Sequence, residues 1–298
     1  MQDNPTALLK KHGKSFNFAR FFLGSQTGIA AARLYRFCRI VDDIADENED
    51  KVEAAQQLTL LKQQIVQNQK TDPIIGDFLA LCSEYGIDRN HGITLIEGVS
   101  QDLNPLALAS DEMLIQYAYR VAGVVGLMMA PILGAKKAGC SFAIDLGIGM
   151  QLTNIARDVM EDAQMQRRYI PSTWVKDLSA QQIANSELAD RAVVQKAIQS
   201  LLQLAETYYQ SGLSGLYYLP ARNRRAIAVA AFVYRDIGRK LLGNQCIYWQ
   251  GRMIVSTPRK LRLASQALWQ LATSKFAHAD CVHASELHLH LPLKTQSE

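Results

Sequence analysis

Two short acidic runs interrupt otherwise apolar stretches of this 298-residue chain. The first is Val41-Asp42-Asp43-Ile44-Ala45-Asp46, with Arg39 just before it. Asp42 and Asp46 are four positions apart and share one helix face. The second is Asn154-Ile155-Ala156-Arg157-Asp158-Val159-Met160-Glu161-Asp162. Here Gln151, Asn154, Asp158 and Asp162 stand at offsets of 0, 3, 7 and 11, one polar stripe among Leu, Ile, Val and Met. Carboxylates about 6 Å apart at an effective dielectric near 20 repel by roughly 2–3 kcal/mol. A lone cluster would read as a solvated helix end. Two clusters on different helices, each embedded in residues of buried type, read as facing stripes that need cations between them. An all-oxygen donor set suits Mg²⁺, with Mn²⁺ as a substitute, and substrate phosphates complete such a shell. The expected metal donors are Asp42, Asp46, Asn154, Asp158 and Asp162, and the expected ligand is a diphosphate.

Cations stand close by in sequence. Arg36 and Arg39 precede the first run, Arg157 lies within the second, and Arg167-Arg168-Tyr169 follows it in a loop ended by Pro171. Each alone would be a surface charge; together they are candidate diphosphate clamps. Tyr117-Ala118-Tyr119-Arg120-Val121-Ala122-Gly123-Val124-Val125-Gly126 mixes Tyr with small residues. As a core helix it needs no further reading. As the wall of an apolar tunnel, Val121, Ala122 and Gly126 would leave room for a long hydrocarbon, and Tyr117 would face a developing cation.

The elements that must position these residues are helical throughout. Helical period runs through residues 27–45, 52–69, 111–130, 141–164, 180–209 (one or two helices), 222–242 and 258–275. Turn chemistry falls between them, at Asp72-Pro73, Tyr85-Gly86, Asn104-Pro105, Gly134, Leu219-Pro220 and Thr257-Pro258. Strand alternation is scarce and no hairpin signal occurs. The expectation is one all-α domain over residues 1–277, followed by a polar, His-rich tail over 278–298 that is disordered.

Composition is that of an ordinary globular protein, with 48% hydrophobic and 20% charged residues. A net charge of +4 and the lack of a Lys/Arg run of the kind that tracks a phosphate backbone give no support to nucleic-acid binding. Five scattered cysteines without a CxxC pair read as reduced thiols. Residues 1–14 carry no apolar run of the signal-peptide kind, and the most apolar segment, 121–135, is shorter than the ~20 residues of a spanning helix. A cytoplasmic protein is expected, with peripheral contact to the inner face of a membrane left open. Nothing points to a particular oligomeric state. A di-iron protein would need Glu-x-x-His on two helices, which is missing. Gly147-Ile148-Gly149 lacks the third Gly of a dinucleotide fingerprint and follows no strand, which disfavours NADPH. His278, His283, His288 and His290 with Cys281 could take up metal adventitiously.

The chain resembles the squalene/phytoene synthase family. The resemblance rests on Lys14-Ser15-Phe16, Phe37–Asp46, Tyr117–Gly126, Gln151–Asp162, Tyr169-Ile170-Pro171, Leu219-Pro220-Ala221-Arg222, Ala231–Arg235 and Gly251-Arg252. Several ordered motifs are far more specific than one DDxxD. The resemblance implies a helical isoprenoid-synthase fold with a central apolar cavity, and head-to-head condensation of two prenyl diphosphates through a cyclopropylcarbinyl diphosphate. It implies that Arg39, Arg157 and Arg252 grip diphosphates with Ser15, Gln151 and Asn154 assisting, that Tyr117 faces the cation and that Tyr234 lines the same cavity. Gly13 and Asn17 depart from many relatives. The look is closest to bacterial phytoene synthases, which use geranylgeranyl diphosphate; farnesyl-using squalene, dehydrosqualene and presqualene diphosphate synthases share the motifs. A non-catalytic assembly role on the same fold is the alternative outside catalysis, and the intact acidic runs argue against it.

Overall fold

The computed structural model describes residues 22–273 and 281–293. The fold is all-α, with helices α1 (Ser25–Glu47), α2 (Lys51–Val66), α3 (Pro73–Tyr85), α4 (Asn90–Val99), α5 (Asp111–Ala118), α6 (Val124–Ile132), α7 (Cys140–Gln164), α8 (Ala180–Asn185), α9 (Leu188–Ser214), α10 (Ala221–Gly243) and α11 (Thr257–Ala272). A two-residue parallel pairing joins β1 (Leu106–Ala107) to β2 (Arg167–Arg168), with Leu106 opposite Arg167.

Local chemistry sets many boundaries. Asp50 accepts hydrogen bonds from the amides of Val52 and Glu53 and starts α2. Asp72 does the same for Ile74 and Ile75. Ser179 and Gln182 form a reciprocal capping box on α8. The pair Asp72-Pro73 is therefore a cap followed by a first-turn proline, not only a turn. Both α3 and α4 escape the periodicity reading because each is short and apolar on most sides.

Helix α7 is the centre of the fold. It packs along α9 and touches α6, α8 and α10. The apolar stretch expected as one helix over 111–130 is broken into α5, a π-helical turn at Tyr119–Gly123, and α6. Such turns add one residue and re-aim side chains, often beside functional sites. Gly126 lets α6 approach α7: a Cβ there would lie 2.1 Å from the Ala143 carbonyl oxygen. The small residue first serves helix packing, and room for a hydrocarbon is secondary. Residues Asp111–Ile132 are long and apolar enough to cross a membrane by length and composition, yet half of the apolar window is buried inside the protein.

The tail differs from expectation. Residues 281–293 lie against the helical body, and His283 and His288 both meet Asp145 of α7. His290 stands 3.7 Å from Glu112. His278 lies outside the described residues.

Candidate active site

A cavity of about 790 Å³ runs beside α7. Arg39, Asp42, Asp46, Tyr117, Val121, Ala122, Gly126, Gln151, Asn154, Arg157, Asp158, Asp162, Tyr234 and Arg252 all line it. Ser15 lies outside the described residues. The cavity has two characters. Its acidic mouth is formed by the C-terminal halves of α1 and α7. Its apolar depth is walled by Val125, Met129, Leu133, Phe142, Leu146 and Leu216.

At the mouth the charges are unevenly paired. Arg157 grips Asp158 with both ends of its guanidinium, at 2.7 and 2.5 Å. Arg252 adds a third bond to the same carboxylate at 2.7 Å. Arg167 donates to Asp46 at 2.6 Å and to the Asp102 carbonyl at 3.1 Å. Among the described residues, Asp42 and Asp162 have no directly bonded cation; Arg39 and Arg167 act on them only through space. Burial, then the charge of Asp46, pushes the Asp42 carboxyl up to about 8. Burial, then Asp158, holds Asp162 well above the usual carboxylate range. The Oδ1 atom of Asn154 is buried without a hydrogen-bond partner, while its amide donates to Gln151 at 3.3 Å. A hard divalent cation fits this set: oxygen donors only, two carboxylates short of positive charge, and an orphaned amide oxygen. Asp42, Asp46, Asn154, Asp158 and Asp162 are the residues that would hold it.

Three cations behave differently from the sequence reading. Arg36 binds Asp77 of α3 at 2.8 Å and lies outside the cavity lining. Arg168 donates to the carbonyls of Leu108 and Ile170 and to Ser172, so it fixes the loop after β2. Arg167 lines the cavity but is buried and already bonded to Asp46 and to the Asp102 backbone carbonyl. The run Arg167-Arg168 reads as a clamp in sequence because charge is visible there and partners are not. Arg39 lines the cavity and is paired with Asp43 at 2.5 Å.

Asp102 is the carboxylate that motif reading missed. It sits in a 3₁₀ turn at Ser100–Leu103 and lines the cavity. Tyr117 donates to its Oδ2 at 2.7 Å, and Tyr169 donates to its Oδ1 at 2.8 Å. The two rings stack with centroids 4.7 Å apart. Burial raises the Asp102 carboxyl to about 6, and the two phenols oppose that rise. Burial and Asp102 together keep the Tyr117 phenol protonated far above its ordinary range. A buried-type turn Asp next to Leu-Asn-Pro was the available signal.

A second group of potential metal ligands, Asp145, His283 and His288, holds its donor atoms within 4.8 Å of one another. It is absent from the cavity lining and lies 13 residues along α7 from Asp158, about 20 Å at 1.5 Å per residue.

Comparison with known proteins agrees with the geometry. The squalene/phytoene synthase family profile matches residues 9–260. A 15-cis-phytoene synthase of Enterobacter agglomerans is 34% identical over 279 residues, covering 89% of this chain and 94% of the relative. One from Pantoea ananas is 34% identical over 277 residues, covering 88% and 89%. A crystal structure of a dehydrosqualene synthase with bound ligand superposes with a TM-score of 0.80 at 26% identity, covering 90% of this chain and 95% of that one. The chain belongs to the squalene/phytoene synthase family. It is a prenyltransferase of the head-to-head type, and its substrates are prenyl diphosphates, handled in this family with a divalent metal.

Proposed function

We propose that this enzyme joins two molecules of geranylgeranyl diphosphate to give phytoene, using Mg²⁺ held by Asp42, Asp46, Asn154, Asp158 and Asp162. The observation that carries the reading is one continuous cavity with an acidic, arginine-rimmed mouth and an apolar depth. The phytoene synthases named above, at 34% identity over most of both chains, favour the C20 substrate.

Bound Mg²⁺ would supply Lewis-acid neutralisation of the diphosphate leaving groups. The protein's own residues divide the remaining work. Arg39, Arg157 and Arg252 rim the mouth and hold diphosphate oxygens, with Gln151, Asn154 and Ser15 assisting. Loss of the first diphosphate leaves an allylic cation. The double bond of the second substrate attacks it, and loss of one proton closes the cyclopropane. Departure of the second diphosphate, rearrangement and loss of a second proton give a C40 hydrocarbon with a conjugated triene at its centre. No reductant is consumed on that route. The Tyr117 ring, bonded through its hydroxyl to Asp102, offers its face to the cation at about 0.5–2 kcal/mol. Tyr234 lines the same space, while Val121, Ala122 and Gly126 border the hydrocarbon and exclude water.

The test is incubation of purified enzyme and Mg²⁺ with farnesyl or geranylgeranyl diphosphate, with and without NADPH, followed by mass analysis. A C40 hydrocarbon from geranylgeranyl diphosphate without NADPH is expected. A C30 hydrocarbon, or an accumulated cyclopropyl diphosphate, would move the enzyme to the farnesyl-using branch, as in the dehydrosqualene synthase of similar fold. Because substrate and product are lipids, we place the enzyme in the cytoplasm in peripheral contact with the inner membrane face, which flotation with vesicles would test.

A further inference from the structure

Asp145 has no exposed surface, and among the described residues its hydrogen bonds include no guanidinium or ammonium. Its Oδ2 accepts from Ser211 at 2.5 Å and from His283 at 2.8 Å, and its Oδ1 accepts from His288 at 2.7 Å. These are hydrogen-bond lengths, and they engage both carboxylate oxygens. The carboxylate thereby ties two turns of the C-terminal segment to α7 and α9. Further bonds follow the same strip. The Cys281 thiol donates to the Ser214 carbonyl at 3.4 Å, Tyr218 donates to the Cys281 carbonyl at 3.4 Å, and Tyr208 donates to the Leu287 carbonyl at 3.1 Å.

What lies under this strip matters for the cavity. Phe142 and Tyr218 both line its depth and stack on each other with centroids 5.6 Å apart. His283 meets the Phe142 ring edge-on at 5.2 Å. Phe142 also presses on α9's end: a Cβ at Gly215 would lie 2.0 Å from the Phe142 Cβ. Phe142 and Asp158 are separated by 16 positions of α7, about 24 Å. The tail therefore backs the cavity wall at the opposite end of the helix from the diphosphate mouth.

We propose that residues 281–288 are a brace for the far wall of the substrate cavity, and that His283, His288 and Asp145 are positioning residues that limit prenyl-chain length through Phe142 and Tyr218. The proposal rests on the prenyl-diphosphate reading of the cavity. The brace acts at the hydrocarbon terminus, so its loss changes which chain is accepted more than it changes ionisation at the mouth.

The experiment compares the full-length enzyme with His283→Ala/His288→Ala and with His283→Gln/His288→Gln, whose amides can still donate to Asp145. Two readouts are taken: the rate of iodoacetamide labelling at Cys281, located by mass spectrometry, and kcat/KM for C15, C20 and C25 prenyl diphosphates. The alanine pair is expected to label at Cys281 about tenfold faster and to raise the C25-to-C20 ratio at least fivefold through KM, with the C15 rate changed less than twofold. The glutamine pair should return both readouts toward wild type. Faster labelling with unchanged C15:C20:C25 ratios would overturn the proposal, as would unchanged labelling in the alanine pair. If the wild-type enzyme turns over none of the three, the catalytic reading has failed separately. The brace is then judged by the melting-temperature shifts that the three diphosphates produce. An order by chain length that is altered in the alanine pair supports it, and an unaltered order overturns it.

Discussion

The Tyr117 hydroxyl donates to the carboxylate of Asp102 at 2.7 Å, inside the cavity that Asp42, Asp46, Asp158 and Asp162 also line. Tyr169 shares the same acceptor, so Asp102 keeps one partner if Tyr117 loses its hydroxyl. In Tyr117→Phe we expect kcat to fall about tenfold, in line with ~1–1.5 kcal/mol for the lost hydrogen bond that orients the ring. KM should change less than twofold, because the ring still fills its place. Equal changes in both constants would place Tyr117 outside the chemistry.

Asp158 accepts three bonds from two arginines. In Asp158→Asn we expect turnover to drop by at least a thousandfold while the far-UV circular dichroism spectrum stays that of the wild type. The substitution removes the negative charge proposed to hold the metal and the carboxylate that orients Arg157 and Arg252, while side-chain volume is kept. Retained activity would remove Asp158 from the site.

The carboxyl of Asp42 has an ordinary value of 3.8 and lies at about 8 in the folded chain. Between those values the folded protein holds a proton that the unfolded chain has released. Stability of the metal-free enzyme therefore falls as pH rises through this window, and the loss is complete above about pH 8. Asp102, raised to about 6, acts in the same direction. Melting curves in EDTA from pH 5 to pH 8 should show a falling Tm, with a smaller slope in Asp42→Asn. A slope unchanged by that substitution would contradict the electrostatic account of Asp42.

Removal of the cation should abolish product formation. Excess EDTA is expected to stop turnover, and added Mg²⁺ or Mn²⁺ to restore it. Mg²⁺ should also raise the Tm more at pH 8 than at pH 5, because protons compete with metal for the same oxygens. Full turnover in EDTA would exclude the divalent-metal mechanism.

Gly126→Ala places a methyl group 2.1 Å from a carbonyl of α7. Overpacking of this kind costs roughly 1–3 kcal/mol. We expect a Tm drop of several degrees, measured by calorimetry, and a distorted cavity wall. An unchanged Tm would show that α6 can shift away from α7 freely.

Much of the site is legible from side-chain spacing. Asp42 and Asp46 four apart, and Asn154, Asp158 and Asp162 on one stripe, can be placed before any coordinates because helical period fixes their direction. The same period places the long helices, with ends that shift by up to five residues and a break inside 111–130. Asp102 is not legible, since its role depends on Tyr117 and Tyr169 arriving from distant parts of the chain. The same holds for Arg36, whose partner Asp77 lies 41 residues away. The docked tail was missed for a related reason: His283 and His288 look like stray polar residues until a buried Asp145 is found to accept from them. The π-turn at Tyr119–Gly123 leaves no mark in composition at all.

The triple hold on Asp158 has a consequence for turnover. The mouth carries its own resident anion, so its arginines are never without a negative partner. With the roles proposed above, an arriving diphosphate would take them from Asp158, and a departing one would yield them back. Release of the spent diphosphate would then be an exchange rather than a bare separation of charges, and the site would reset itself for the next pair of substrates.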